Sequence, residues 1–151
     1  MAQHVATVFW QRKEALFSDN KYSRAHEWRF DGGARVAASA SPDIVPLPYS
    51  DASAVDPEEA FVASAASCHM LFFLSFAQRE KLVVDRYTDE AVGFLTKSEA
   101  GKLWVSRIEL NPEIIWSGQA PSGPDLQRLH HDAHEACFIA NSIRSEIVVK
   151  A

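Results

Sequence analysis

The stretch DPEEAFVASAASCHMLFFLSFA, Asp56 to Ala77, constrains this chain more than any other. Asp56 is a favoured N-cap, Pro57 suits the first helical position, and Glu59 stands where a capping box needs an acid. Acidic residues in that first turn also favour the positive end of the helix dipole. The helix is expected to run to about Lys81. It is apolar nearly all the way round, so it must be buried on most sides, or buried by a second copy of itself. Its apolar part approaches the length of a membrane span, but Ser64, Ser67, His69 and Ser75 interrupt it, and a buried helix is the better reading. In its middle stands Cys68, one of two cysteines in the chain, followed directly by His69.

The sequence around this helix reads largely as strands. His4–Trp10, Tyr22–Phe30 and Arg35–Ala40 are β-like, and Asp31-Gly32-Gly33 marks a hairpin turn between the second and third. Pro42, Pro46 and Pro48 make Ser41 to Ser53 a connecting loop. After the helix come Leu82–Tyr87, Ala91–Leu95, Trp104–Leu110 and a short Glu113–Trp116, with a turn over Lys97–Lys102. A second helix is expected from about Asp125 to Ala140, and Ser145–Val149 supplies a last strand. Repeats and low-complexity tracts are absent. The expected architecture is a single α+β domain, residues 1–151, with antiparallel sheets around two central helices.

Charge and composition exclude some functions. The chain has a formal net charge of −5 and its basic residues are scattered, which disfavours nucleic-acid binding because no basic excess is available to neutralise phosphates. No basic segment followed by an apolar one stands at Met1, so a cytoplasmic location is expected, with no membrane partner. In a reducing compartment two cysteines are more often reactive or merely buried than a permanent staple.

Helical spacing places both thiols inward. Phe61, Ala65, Cys68, Phe72 and Ser75 share a face of the first helix, and Leu126, Leu129, Ala133, Cys137 and Ala140 form a stripe on the second, with Cys137 near its centre. His130 borders that stripe, His134 flanks it, and His131 should face water. The two thiols are expected to meet between the helices. Spacing alone is equally compatible with two cysteines acting as small buried hydrophobes.

At this point DPEEAFVASAASCHM resembles the central-helix motif of the osmotically inducible protein C / organic hydroperoxide resistance (OsmC/Ohr) family, and AHEACFIANS, holding Cys137, resembles its second-cysteine segment. The resemblance covers most of the chain and implies an intertwined homodimer that reduces organic hydroperoxides without a cofactor or metal. It implies that Cys68 is the peroxidatic thiol, that Cys137 resolves it as a disulfide, and that a dithiol reductant regenerates both. It further assigns Glu58 as the family carboxylate and an arginine beside the thiolate. Arg24 is the preferred arginine, with Arg12 and Arg29 as alternatives. Glu58 and Cys68 lie ten residues apart, about 15 Å along a helix, so a site using both should draw Glu58 from a second subunit. His69 and Phe138 depart from the residues usual after each family cysteine and mark a divergent branch.

Those departures open other readings. Cys68, His69, Cys137, His130 and His134 are zinc-ligand types, and His130, His134 and Cys137 follow i, i+4, i+7 spacing, so a zinc-binding or redox-sensing protein is an alternative. A dimeric binder of a small hydrophobic molecule is a third.

Overall fold

The computed structural model describes all 151 residues. They divide into two compact units, Met1–Ala60 and Phe61–Ala151.

In the first unit, β1 (Ala6–Phe9), β2 (His26–Phe30) and β3 (Arg35–Ala38) form an antiparallel sheet in that order. Val8 pairs with Trp28, and Trp28 with Val36. The β2–β3 turn falls at the expected glycines: Phe30 and Ala34 are hydrogen-bonded, and Gly33 takes φ +93°, which an L side chain resists. β2 is shorter than its β-like sequence, which begins at Tyr22. The reason is that Tyr22–Ala25 is tied elsewhere: the Trp10 indole donates to the Ser23 carbonyl and the Arg24 amide to the Tyr49 carbonyl. The proline-bearing loop returns beside β3, where Ser39 and Val55 exchange backbone bonds with each other's strand.

The helix α1 spans Pro57–Arg79, two residues short of expectation. Its cap forms reciprocally. Asp56 Oδ1 accepts from the Glu59 amide at 2.7 Å, and Glu59 Oε2 accepts from the Asp56 amide at 3.2 Å.

In the second unit, β4 (Val83–Asp89) and β7 (Pro112–Ser117) make an antiparallel ribbon, while β5 (Val92–Lys97), β6 (Leu103–Leu110) and β8 (Glu146–Val149) make a sheet. Antiparallel pairing was expected throughout, yet β6 and β8 are parallel. The long connection through β7 and the second helix α2 (Gly123–Ala136) lets β8 enter in the same direction as β6.

The core of this unit has two parts. Ala65 of α1 packs with Ile108 and Leu110 of β6, flanked by Ile139, Ile143 and Ile147. Gly93 admits this approach, because a Cβ there would collide with the Val62 side chain. Farther along α1, Phe73 and Ala77 pack with Leu129 and Ala133 of α2, under Tyr87, Ile114 and Trp116. Full burial of Phe73 or Leu129 stabilises by roughly 1.5–3 kcal/mol each.

The most buried stripe of α1 is Ala65, His69, Phe73 and Ala77, at steps of four. The expected face through Cys68 and Phe72 lies beside it and is half-buried. Burial of the histidine was not anticipated.

Candidate active site at the seam between α1 and α2

Within the second unit α1 and α2 run antiparallel. Cys68 faces Cys137, Phe72 meets Phe138 edge-on at 5.0 Å, Phe73 stacks on His130, and Glu80 pairs with Arg128 near the end of α1.

Cys137 is not inside its helix as the spacing suggested. α2 ends at Ala136, and Cys137 is its C-cap, with extended backbone. The Asn141 side chain causes the early stop: its Nδ2 donates to the carbonyls of Glu135 at 2.9 Å and Cys137 at 3.0 Å, satisfying acceptors that a longer helix would have used. The turn that follows, a 3₁₀ turn over Ala140–Ser142, brings the Ala140 amide to within 3.4 Å of the Cys137 sulfur.

The two cysteines are not bonded to each other. Cys68 is half-buried and Cys137 fully buried. The two thiols are neighbours, as expected of an inward-facing pair. Burial pushes the Cys137 thiol above its ordinary pKa, and the adjoining Cys68 thiol pushes it further, while the Ala140 amide opposes the shift. Cys137 is thus held as a thiol, and Cys68 is the sulfur open to an incoming molecule.

One helical step on, His69 meets His130. His69 Nε2 and His130 Nδ1 are 3.0 Å apart, and the rings lie nearly parallel with centroids 5.3 Å apart. His130 in turn stacks on Phe73 at 4.4 Å. Neither imidazole is more than 4% exposed, and their outer nitrogens, His69 Nδ1 and His130 Nε2, lack a partner within the chain. Burial lowers both pKa values to about 4, and for His69 the neighbouring His130 and His134 add to the shift. The rings are therefore neutral at pH 7 and share one proton between their facing nitrogens. They provide the seam with no positive charge, so the cation a thiolate needs must come from elsewhere.

Sequence reasoning placed His130 at the edge of the apolar stripe and left the role of His69 open; it missed their pairing. The available signal was a histidine on an otherwise apolar face of each helix, and only the helix register joins the two. The zinc alternative finds no donor set, since no three His, Cys, Asp or Glu side chains converge into a group that could hold a metal ion. His131 faces water, as expected.

The remaining candidates lie in the first unit. Glu58 is half-buried and makes no side-chain hydrogen bond or ion pair, whereas Glu59 is engaged by the cap. Arg24 is half-buried, stacks over Tyr22 at 3.6 Å and donates to Asn20 and Tyr22. Arg29 is engaged by Glu27 at 2.6 Å and covers Phe9. Arg12 is exposed and donates to the Ala15 carbonyl.

The family model described as OsmC-like protein matches residues 50–151, so the chain belongs to the OsmC-like family. A Vibrio cholerae OsmC-like protein of unknown function is 51% identical, with 99% of each chain covered and a TM-score of 0.96. An organic hydroperoxide resistance protein from Elizabethkingia anophelis shares the fold at 18% identity, covering 99% of this chain and 94% of its own, with a TM-score of 0.72. The organic hydroperoxide resistance protein OhrB of Bacillus subtilis does so at 19% identity, with 99% and 96% coverage and a TM-score of 0.65. No curated protein matches the chain.

Proposed function

We propose that this protein is a thiol-dependent peroxidase acting on organic hydroperoxides, with Cys68 as the peroxidatic and Cys137 as the resolving cysteine. The observation that carries the reading is the thiol pair itself: a half-exposed sulfur beside a buried one. Membership of the OsmC-like family supports it, as does the shared fold with proteins named for organic hydroperoxide resistance.

The chemistry balances without a bound cofactor. The Cys68 thiolate attacks the outer oxygen of ROOH; the O–O bond breaks, and RO⁻ takes a proton to leave as ROH. Cys68 is then a sulfenic acid. The Cys137 sulfur displaces its hydroxyl, the thiol proton leaves with it as water, and a disulfide forms. An external dithiol reduces that bond and is itself oxidised to a disulfide. Such a reductant fits a cytoplasmic protein.

The first step needs a cation at the thiolate and the departing oxygen. We assign it to Arg24, the one of the three arginines weighed that is both half-buried and without an ion pair. Glu58, with its carboxylate unengaged, would hold the arginine from a second copy, because ten helical residues separate it from Cys68 in its own chain. Leu71, 60% exposed on α1, is part of the apolar surface such a homodimer would cover. Phe61 and Phe72 favour an organic substrate over hydrogen peroxide.

The test is consumption of an organic hydroperoxide in the presence of a dithiol. Wild type is expected to turn over, and Cys68→Ser to fall to the uncatalysed rate. Equal rates for the two would overturn the reading.

A further inference from the structure

Under the proposed chemistry a Cys68 sulfenic acid has two fates. Cys137 captures it as a disulfide, or a second hydroperoxide oxidises it to a sulfinic acid and leaves as ROH, a change that a thiol reductant does not reverse. The outcome depends on how well the Cys137 sulfur is aimed. Cys137 stands at the C-cap of α2, with φ −63° and ψ +117°, where the last carbonyls lack helical partners and a helix frays. Something other than the helix must hold it.

The segment after Cys137 is tied down by two residues. Asn141 commits both N–H donors of its side chain, to the carbonyls of Glu135 at 2.9 Å and Cys137 at 3.0 Å. Its backbone amide donates to the same Cys137 carbonyl at 3.0 Å, so both lone pairs of that oxygen are used. The Ser142 amide donates to the Ile139 carbonyl at 2.9 Å, and its hydroxyl to the Phe138 carbonyl at 2.7 Å. Three successive carbonyls, from Cys137 to Ile139, are thus fixed, and of the two residues only Asn141 also reaches back into α2. The closed turn leaves the Ala140 amide 3.4 Å from the Cys137 sulfur and directs the Ile139 amide at it as well.

Asn141 does this from the surface. It is exposed and belongs to neither core cluster, so its side chain shapes the turn without filling the interior. What the turn offers the sulfur is chemical. Capture needs Cys137 as a thiolate; burial and the Cys68 thiol oppose that form, and the two amides favour it.

We infer that Asn141 is a positioning residue for the attack of Cys137 on oxidised Cys68, holding the resolving sulfur beside its partner with the Ile139 and Ala140 amides turned toward it. One consequence rests on the peroxidase reading: Asn141 then sets how well Cys68 is protected from over-oxidation. The S–S bond must form, and the S–O bond of the sulfenic acid break, before a second hydroperoxide arrives.

Stopped-flow reaction of the full chain with one equivalent of 4,4′-dithiodipyridine isolates the step without any hydroperoxide. The Cys68 thiolate attacks the probe and releases one pyridine-4-thione. The Cys137 thiolate then attacks the Cys68 sulfur of the mixed disulfide and releases the second. Asn141→Asp, which replaces the donors by an acceptor of the same size, and Asn141→Ala should leave the first phase near wild type and slow the second about tenfold or more. The pH at which the second phase reaches half its limiting rate should also rise, because the amides no longer face the thiolate. With cumene hydroperoxide, both variants should accumulate Cys68 sulfinic acid, counted by mass spectrometry, where wild type forms the disulfide. Second phases equal to wild type in both variants, two phases slowed alike, or a wild type that releases a single thione would each overturn the inference. A wild type that consumes no hydroperoxide would overturn the peroxidase reading instead, and the second phase with the probe would still decide the role of Asn141.

Discussion

Cys68 and His69 are adjacent in sequence and each faces a like residue, Cys137 at the C-cap of α2 and His130 within it, yet they occupy opposite physical states. The thiol pair has one half-exposed member and a graded acidity, with burial holding Cys137 protonated. The imidazole pair is sealed, neutral and stacked on Phe73. A step of about 100° around the helix separates a residue that can meet a reactant from one that holds two helices in register. Identical chemistry types on one segment therefore do not imply a shared site.

Variants can break this contrast, and the largest effect should come from the thiols. Cys68→Ser is expected to remove hydroperoxide turnover, whereas His69→Leu should keep turnover per folded molecule. Cys137→Ser should consume one equivalent and then accumulate a sulfenic acid, detected by dimedone labelling and mass spectrometry, because no second sulfur captures it.

Stability should respond in the reverse order. Phe73→Ala removes the ring that backs His130 and contacts Tyr87 and Trp116, and should cost about 3–5 kcal/mol in urea denaturation. His69→Leu leaves His130 buried without its partner, while His69→Leu/His130→Leu removes both polar rings. The double variant is expected to be more stable than the single one. A double variant showing the summed losses would mean that the shared proton contributes nothing to register.

The pair also sets a pH dependence. Its pKa values are about 4 when folded and near 6.5 when unfolded, so between these values the unfolded chain binds more protons. The stability contributed by the neutral pair is complete above about pH 6.5 and falls as pH drops toward 4. Denaturation midpoints at pH 7 and pH 5 should separate in wild type and converge in the double variant. The smallest effect belongs to Arg128→Ala, which cuts the surface pair with Glu80 and should barely move the midpoint.

Much of this was readable beforehand, and for local reasons. The cap at Asp56 and Glu59, the glycine turn after Phe30 and the alternating strands follow from neighbours in sequence, and each element formed near its expected place. Boundaries moved where a distant group intervened: Asn141 ended α2 before Cys137, and bonds to Ser23 and Arg24 shortened β2. Periodicity brought the thiols together but mistook which stripe was deepest, because an all-round apolar helix gives no preferred face for its neighbours to select.

The sequence by itself determined the class of this protein: two central helices, an α+β frame, two inward thiols and membership of a family recognisable from its cysteine segments. The tertiary structure alone decided that His69 would be sealed against His130 and that β8 would run parallel to β6. Capping, turns and periodicity are properties of residues a few positions apart. Burial depth and proton sharing depend on which distant side chains arrive first at each polar group, and that is settled only when the chain has folded.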